Sequence, residues 1–148
     1  MLTLAQAIRN AVEAERAAQR FYLDLVPKAA NKEARELFQL MAEQEEEHAQ
    51  SIERLGQRVA RQELPANAND NIAGVETMPG WRHADQITIE EALDLAISAE
   101  HSAALYYDAI ADYFTGEAQR FFQDLSTCEE KHANLLVEMR ERLNRAKN

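Results

Sequence analysis

Apolar residues recur along this chain at helical spacing in four stretches, and the stretches form two similar pairs. In the first, Ala7, Ile8, Ala11, Val12, Ala18 and Tyr22 fall on one helical face, because residues three and four apart lie one above the other. Thr3 to Gln6 reads as a capping box, and Pro27 lacks the backbone N–H that a continuing helix needs, so a first helix is expected over residues 4–26. A second is expected over 32–61, with Ala34, Leu37, Phe38, Met41, Ile52, Leu55 and Val59 as its inner stripe. The link between them is short, which makes them antiparallel neighbours.

The periodicity then stops. From about 62 to 87 the chain is rich in turn formers, among them Pro65, Asn67, Asn69, Asn71, Gly74, Pro79 and Gly80. A connection of this length fits a crossover along a helical bundle better than a tight hairpin, with Trp81 as a candidate anchor. Thr88 to Glu91 is a second capping box, and Ala92, Leu93, Ala96, Ile97, Ala103, Tyr107 and Ile110 continue a third helix, expected over 89–114. Gly116 marks a turn before a fourth helix over 117–144. The expectation is one all-α domain over residues 1–148, a four-helix bundle of two hairpins joined by a long crossover.

Composition supports this and narrows the partners. Four Gly and three Pro leave few helix breakers, and 148 residues suffice for one buried core. A net charge of −10 opposes binding to nucleic acid or an anionic membrane surface. No apolar run approaches the roughly 18 residues needed to span a bilayer, and Met1 to Asn10 lacks a secretory pattern, so a cytoplasmic location is expected. Cys128 stands alone, which excludes an intrachain disulfide framework and any Cys-x-x-Cys metal pair in this sequence.

The two halves repeat. Laying Thr3–Tyr22 on Thr88–Tyr107 pairs Glu15 with Glu100, Ala18 with Ala103 and Tyr22 with Tyr107; after a one-residue slip, Phe38 pairs with Phe122, Glu45 with Glu129 and His48 with His132. Such a repeat implies a pseudo-twofold bundle whose equivalent residues meet near the central axis.

The matched polar residues continue the apolar stripes. Glu15 lies between Ala11 and Ala18, Glu100 between Ala96 and Ala103, Glu45 and His48 between Met41 and Ile52, and Glu129 and His132 between Leu125 and Leu136. Four carboxylates in a dry core need cations, since each desolvated charge costs several kcal/mol and like charges repel. No Lys or Arg shares these stripes, whereas two divalent ions balance four carboxylates and two neutral imidazoles. The candidate metal ligands are therefore Glu15, Glu45, His48, Glu100, Glu129 and His132. Oxygen-rich donors with one imidazole per ion suit iron, with manganese as the alternative, better than a structural zinc site. A single Glu-x-x-His in a Glu-rich helix is commonly chance, and the run Glu43–Glu47 reads mostly as a solvated face; it is the repetition that lifts the pattern above background.

Tyr22 and Tyr107 lie two turns beyond an inward Glu, where a phenol could hydrogen-bond a carboxylate from another helix, although plain aromatic packing would place them there too. Ala18 and Ala103 are small enough to leave room for a diatomic substrate, or simply to let helices pack closely. His83 and His101 have no partner at metal-ligand spacing and are expected to face water, and Cys128 is turned away from the ligand face by about 100°.

These motifs, Glu15-x-x-Ala18-x-x-x-Tyr22, Glu45-x-x-His48, Glu100-x-x-Ala103-x-x-x-Tyr107 and Glu129-x-x-His132, resemble the rubrerythrin-type ferritin-like domain over nearly the whole chain. The resemblance implies a ferritin-like fold, a non-haem di-iron site, peroxide-reducing activity and a homodimer. Rubrerythrins proper add a rubredoxin-like domain with four Cys, so the resemblance implies an external reductant here, such as a rubredoxin-like protein. They also use an extra Glu one turn before the third-helix ligand, where this sequence has Ile97. The same ligand types are similar to those of bacterioferritin, which implies ferroxidase and iron storage as the alternative; Glu46 stands where that family has its haem-ligating Met, so no haem is expected. The expected function is reduction of hydrogen peroxide or O₂ by an iron pair, with storage or a non-catalytic metal-binding sensor module as competing readings.

Overall fold

The computed structural model describes residues 4–59 and 87–147. Four helices make up the described chain: α1 (Leu4–Leu25), α2 (Lys32–Val59), α3 (Ile89–Ala111) and α4 (Gly116–Lys147). The crossover expected over 62–87, with Trp81 and His83, lies outside the described residues apart from Ile87, and so does Thr3 of the first capping box.

Local chemistry sets the helix ends. α1 passes into one 3₁₀ turn, Val26–Lys28, which accommodates Pro27 where an α-helical donor would be missing. Asn31 then caps α2, its side-chain oxygen accepting from the Ala34 N–H at 2.7 Å. Thr88 caps α3 as the sequence predicts: its hydroxyl accepts from the Glu91 N–H at 3.1 Å and lies 3.1 Å from the Glu91 carboxylate. α3 ends at Ala111 and not near 114, because the N–H groups of Asp112, Tyr113 and Phe114 turn back to the carbonyls of Ala109, Ile110 and Ala111. Gly116, with φ of +63°, takes the left-handed conformation that starts the return into α4.

α1 packs along α2 and α3 along α4, giving two antiparallel hairpins, and α2 meets α4 across the bundle. No strand occurs among the described residues, and none of their helices is long and apolar enough to cross a membrane.

The apolar core is split in two. One cluster is built from Ala7, Ile8 and Ala11 of α1, Ile52 and Leu55 of α2, Tyr107 and Ile110 of α3, and Phe122 and Leu125 of α4. The other takes Phe21, Tyr22 and Leu25 of α1, Phe38 and Met41 of α2, Leu93 and Ala96 of α3, and Leu136 and Met139 of α4. On every helix the gap between the two clusters falls at a glutamate: Glu15, Glu45, Glu100 and Glu129. The apolar ends hold the bundle together and enforce burial of whatever lies in the middle layer.

Pseudo-twofold symmetry is visible in the aromatic contacts. Tyr22 stacks on Phe38 with centroids 6.5 Å apart, and its counterpart Tyr107 stacks on Phe122 at 6.2 Å. His48 and His132 stack on each other at 5.5 Å, with planes 11° apart.

Candidate metal centre

The middle layer brings together all six polar residues singled out in the sequence. Glu15, Glu45, Glu100, Glu129 and His132 are buried, none more than 3% exposed, and His48 is nearly so. Their donor atoms form two overlapping groups. Glu15, Glu45, His48 and Glu129 make one, and Glu45, Glu100, Glu129 and His132 the other, with the atoms of each group within 4.8 Å of one another. Glu45 and Glu129 belong to both. Glu15 with His48, and Glu100 with His132, belong to one group each.

Both imidazoles turn Nδ1 inward. Nδ1 of His48 lies 3.2 Å from Glu129 and 3.6 Å from Glu15; Nδ1 of His132 lies 3.0 Å from Glu45 and 3.6 Å from Glu100. Each histidine thus faces the Glu-x-x-His carboxylate of the other hairpin. These approaches lack hydrogen-bond geometry: Oε2 of Glu15, Oε1 of Glu45, Oε1 of Glu129 and both Nδ1 atoms are buried without a hydrogen-bond partner among the described residues. Among the described residues no lysine or arginine pairs with any of the four carboxylates. Five orphaned lone-pair donors converging from α1, α2 and α4 fit a pair of cations, because an unsatisfied buried polar atom costs about 1–3 kcal/mol and a charged one more.

The remaining carboxylate oxygens are held by crossed tyrosines. The Tyr107 hydroxyl donates to Oε1 of Glu15 at 2.6 Å, and the Tyr22 hydroxyl donates to Oε1 of Glu100 at 2.6 Å. Each phenol fixes one oxygen and leaves the other facing the cluster. Burial, and then the charge of Glu100 for Tyr22 or Glu15 for Tyr107, pushes both phenols well above their usual range, so they stay protonated donors.

Crowded carboxylates divide their charge unequally. Burial pushes Glu45 and Glu129 well above the usual carboxylate range, and the charge of Glu15 adds to it. Burial also acts upward on Glu15, but the close approach of Glu45 and His48, with the Tyr107 hydroxyl, overcomes it and lowers its pKa to about 2. For His48, burial disfavours the charged ring, yet Glu15 wins and raises it.

A pocket reaches this layer between α1 and α3. Ala14 and Ala99, half-buried, form its rim, Ala18 and Ala103 its buried walls, and Glu15, Glu45, Glu100 and Glu129 its floor, with Tyr107 at the side. Ile97, where the rubrerythrin resemblance implies an extra Glu, is half-buried and packs on the apolar cluster. His101 is exposed and lies 3.2 Å from Glu130, away from the centre. Two residues near the centre were not singled out by the sequence reading. Gln44 approaches His132 from outside at 2.5 Å, and Arg16 bridges to Glu46 and Glu53 at 3.1 and 3.0 Å, tying α1 to α2 beside the carboxylate layer.

A bundle of this topology with a Glu/His layer drawn from all four helices defines a ferritin-like protein. The family model for rubrerythrin matches residues 6–92 and 91–148, and the chain belongs to that family. Its fold is shared with two solved structures. One is a protein of Thermotoga maritima described as a ferritin-like diiron-carboxylate protein, with a TM-score of 0.73, 23% identity and 95% of each chain covered. The other is a hypothetical protein of Pyrococcus furiosus, with a TM-score of 0.74, 21% identity, and 97% of this chain and 92% of that one covered. No curated protein matches the chain.

Proposed function

We propose that the chain is a carboxylate-bridged di-iron oxidoreductase that reduces hydrogen peroxide, and O₂ more slowly, with electrons from an external donor such as a rubredoxin-like protein. The observation that carries the reading is the convergence of four buried glutamates and two inward Nδ1 atoms, several of whose donor atoms have no hydrogen-bond partner among the described residues. Glu15 and Glu100 would be terminal ligands, Glu45 and Glu129 bridges, and His48 and His132 one imidazole for each ion. Manganese is the alternative occupant.

Iron held there would supply two electrons to an O–O bond. What the chain itself contributes is position, charge and access. Tyr22 and Tyr107 hold Glu100 and Glu15 by one oxygen each, so the free oxygens keep a fixed direction. Glu45 and Glu129, protonated more readily than ordinary glutamates, give up protons as cations arrive, which couples loading to pH. The alanine-walled opening admits a small oxidant to the carboxylate floor, while the apolar clusters above and below exclude bulk water.

The test is anaerobic loading with Fe(II) followed by rapid mixing with hydrogen peroxide or with O₂. Faster oxidation by peroxide, without growth of a mineral core, is the expected result. Faster oxidation by O₂ with core growth would replace this reading with iron storage.

A further inference from the structure

His48 and His132 are equivalent in the repeat, and their inward surroundings are similar: each Nδ1 lies within 3.6 Å of two carboxylates, His132 has a third, Glu129, at 3.9 Å, and the rings stack on each other. Their outward nitrogens differ. Nε2 of His132 lies 2.5 Å from Oε1 of Gln44. An amide carbonyl oxygen can only accept, so Nε2 carries the proton and donates it, which leaves the lone pair on Nδ1 facing the carboxylates. The contact selects the tautomer able to bind a cation and fixes the ring's orientation.

The register that pairs Glu45 with Glu129 pairs Gln44 with Cys128. Cys128 is half-buried, and a thiol is a weak acceptor compared with an amide oxygen. No described residue forms a hydrogen bond with Nε2 of His48. The His48 side chain is also more open, 15% exposed against 4% for His132. One imidazole is therefore locked from behind, and its twin is not.

We infer that Gln44 is a positioning residue that makes the His132 metal position the tighter of the two, so that the His48 position fills second and empties first. The inference rests on the two-metal reading of the centre. Loss of such an outer hydrogen bond typically lowers metal affinity by about 10–100-fold, which is enough to order the two positions.

The test is titration of the full chain with Mn²⁺, followed by calorimetry and by the electron paramagnetic resonance signal of free Mn²⁺. Two steps in the natural protein do not decide the matter, since repulsion between the ions would also split the affinities. The decisive comparison places Gln44→Leu in each single-ligand background. Combined with His48→Ala, where the His132 position remains, Gln44→Leu should weaken binding by about 10–100-fold; combined with His132→Ala it should change binding little. Gln44→Glu, which keeps an acceptor, should restore the loss. Nitrogen-15 shifts of the metal-free protein give a readout independent of metal, with His132 held as the Nε2–H tautomer in the natural chain and as a tautomer mixture in Gln44→Leu. Equal effects in the two backgrounds, or an unchanged His132 tautomer, overturn the inference and leave the two-metal centre standing. A natural chain that binds fewer than two Mn²⁺ overturns both.

Discussion

The hydroxyl of Tyr22 on α1 donates to Glu100 on α3 across the bundle at 2.6 Å, and Tyr107 returns the same bond to Glu15. Hydrogen bonds to charged acceptors in a buried layer are among the stronger single contacts in a protein, worth about 1.5–3 kcal/mol. Because Glu100 is 2% exposed, water cannot replace the lost donor. Tyr22→Phe should therefore destabilise the metal-free protein by about 1–3 kcal/mol in urea denaturation. Tyr107→Phe should behave alike, by the symmetry of the two halves. If both variants unfold at the denaturant concentration of the natural protein, the phenols are packing groups and nothing more.

The metal-free and metal-loaded forms should respond to pH in opposite ways. Glu45 and Glu129 have pKa values raised by folding, so the stability they contribute is fully present below the ordinary value of 4.5 and is lost as pH rises through the raised values. His48, raised above 6.5, adds stability that is likewise present at lower pH and lost on the way up. Glu15 runs the other way, but its contribution is lost only as pH falls from 4.5 towards about 2. Between about pH 5 and pH 8 the metal-free protein should thus lose thermal stability, by ~2–4 °C for each kcal/mol involved. Cations bind the deprotonated ligands, so the difference in Tm between Mn²⁺-loaded and chelator-treated protein should widen over the same range. Glu45→Gln, which removes a titrating group from the layer, should flatten the metal-free slope. Scanning calorimetry that gave parallel curves for loaded and stripped protein would show that the layer's charge is not linked to folding.

The repeat made most of this layer legible. Glu15, Glu45, Glu100 and Glu129 were readable because each interrupts an apolar stripe at the same place in its half, and only a buried position explains an interruption that occurs twice. Burial then follows from the two flanking apolar clusters. Gln44 was not legible, for a related reason. It sits in the acidic run Glu43–Glu47, which reads as solvated, and Glu43 and Glu47 are indeed exposed. Its counterpart in the repeat is Cys128, so the symmetry that exposed the candidate ligands concealed the residue that breaks the symmetry. The end of α3, at Ala111, is not legible for a different cause. Tyr113 and Phe114 extend the apolar pattern, and Phe114 is buried in the core, but hydrophobic spacing does not report where backbone hydrogen bonds change partner.

Access to the centre should depend on side-chain size at Ala18 and Ala103. These residues wall the opening between α1 and α3, they are 4% and 8% exposed, and the carboxylate floor lies directly behind them. A leucine at either place would project into the opening, at a packing cost of about 1–3 kcal/mol. The proposed ligands lie on the far side of that wall, so Mn²⁺ affinity should stay close to that of the natural protein. Oxidation of the Fe(II)-loaded protein by hydrogen peroxide should slow by about tenfold, equivalent to ~1.4 kcal/mol on the barrier. Size selection gives a second handle, since the natural opening should favour hydrogen peroxide over tert-butyl hydroperoxide, and Ala18→Leu should widen that preference. A variant that loads metal normally and reacts at an unchanged rate with both peroxides would mean that the oxidant arrives by another path. The functional meaning of the four alanines would then reduce to close approach of α1 and α3.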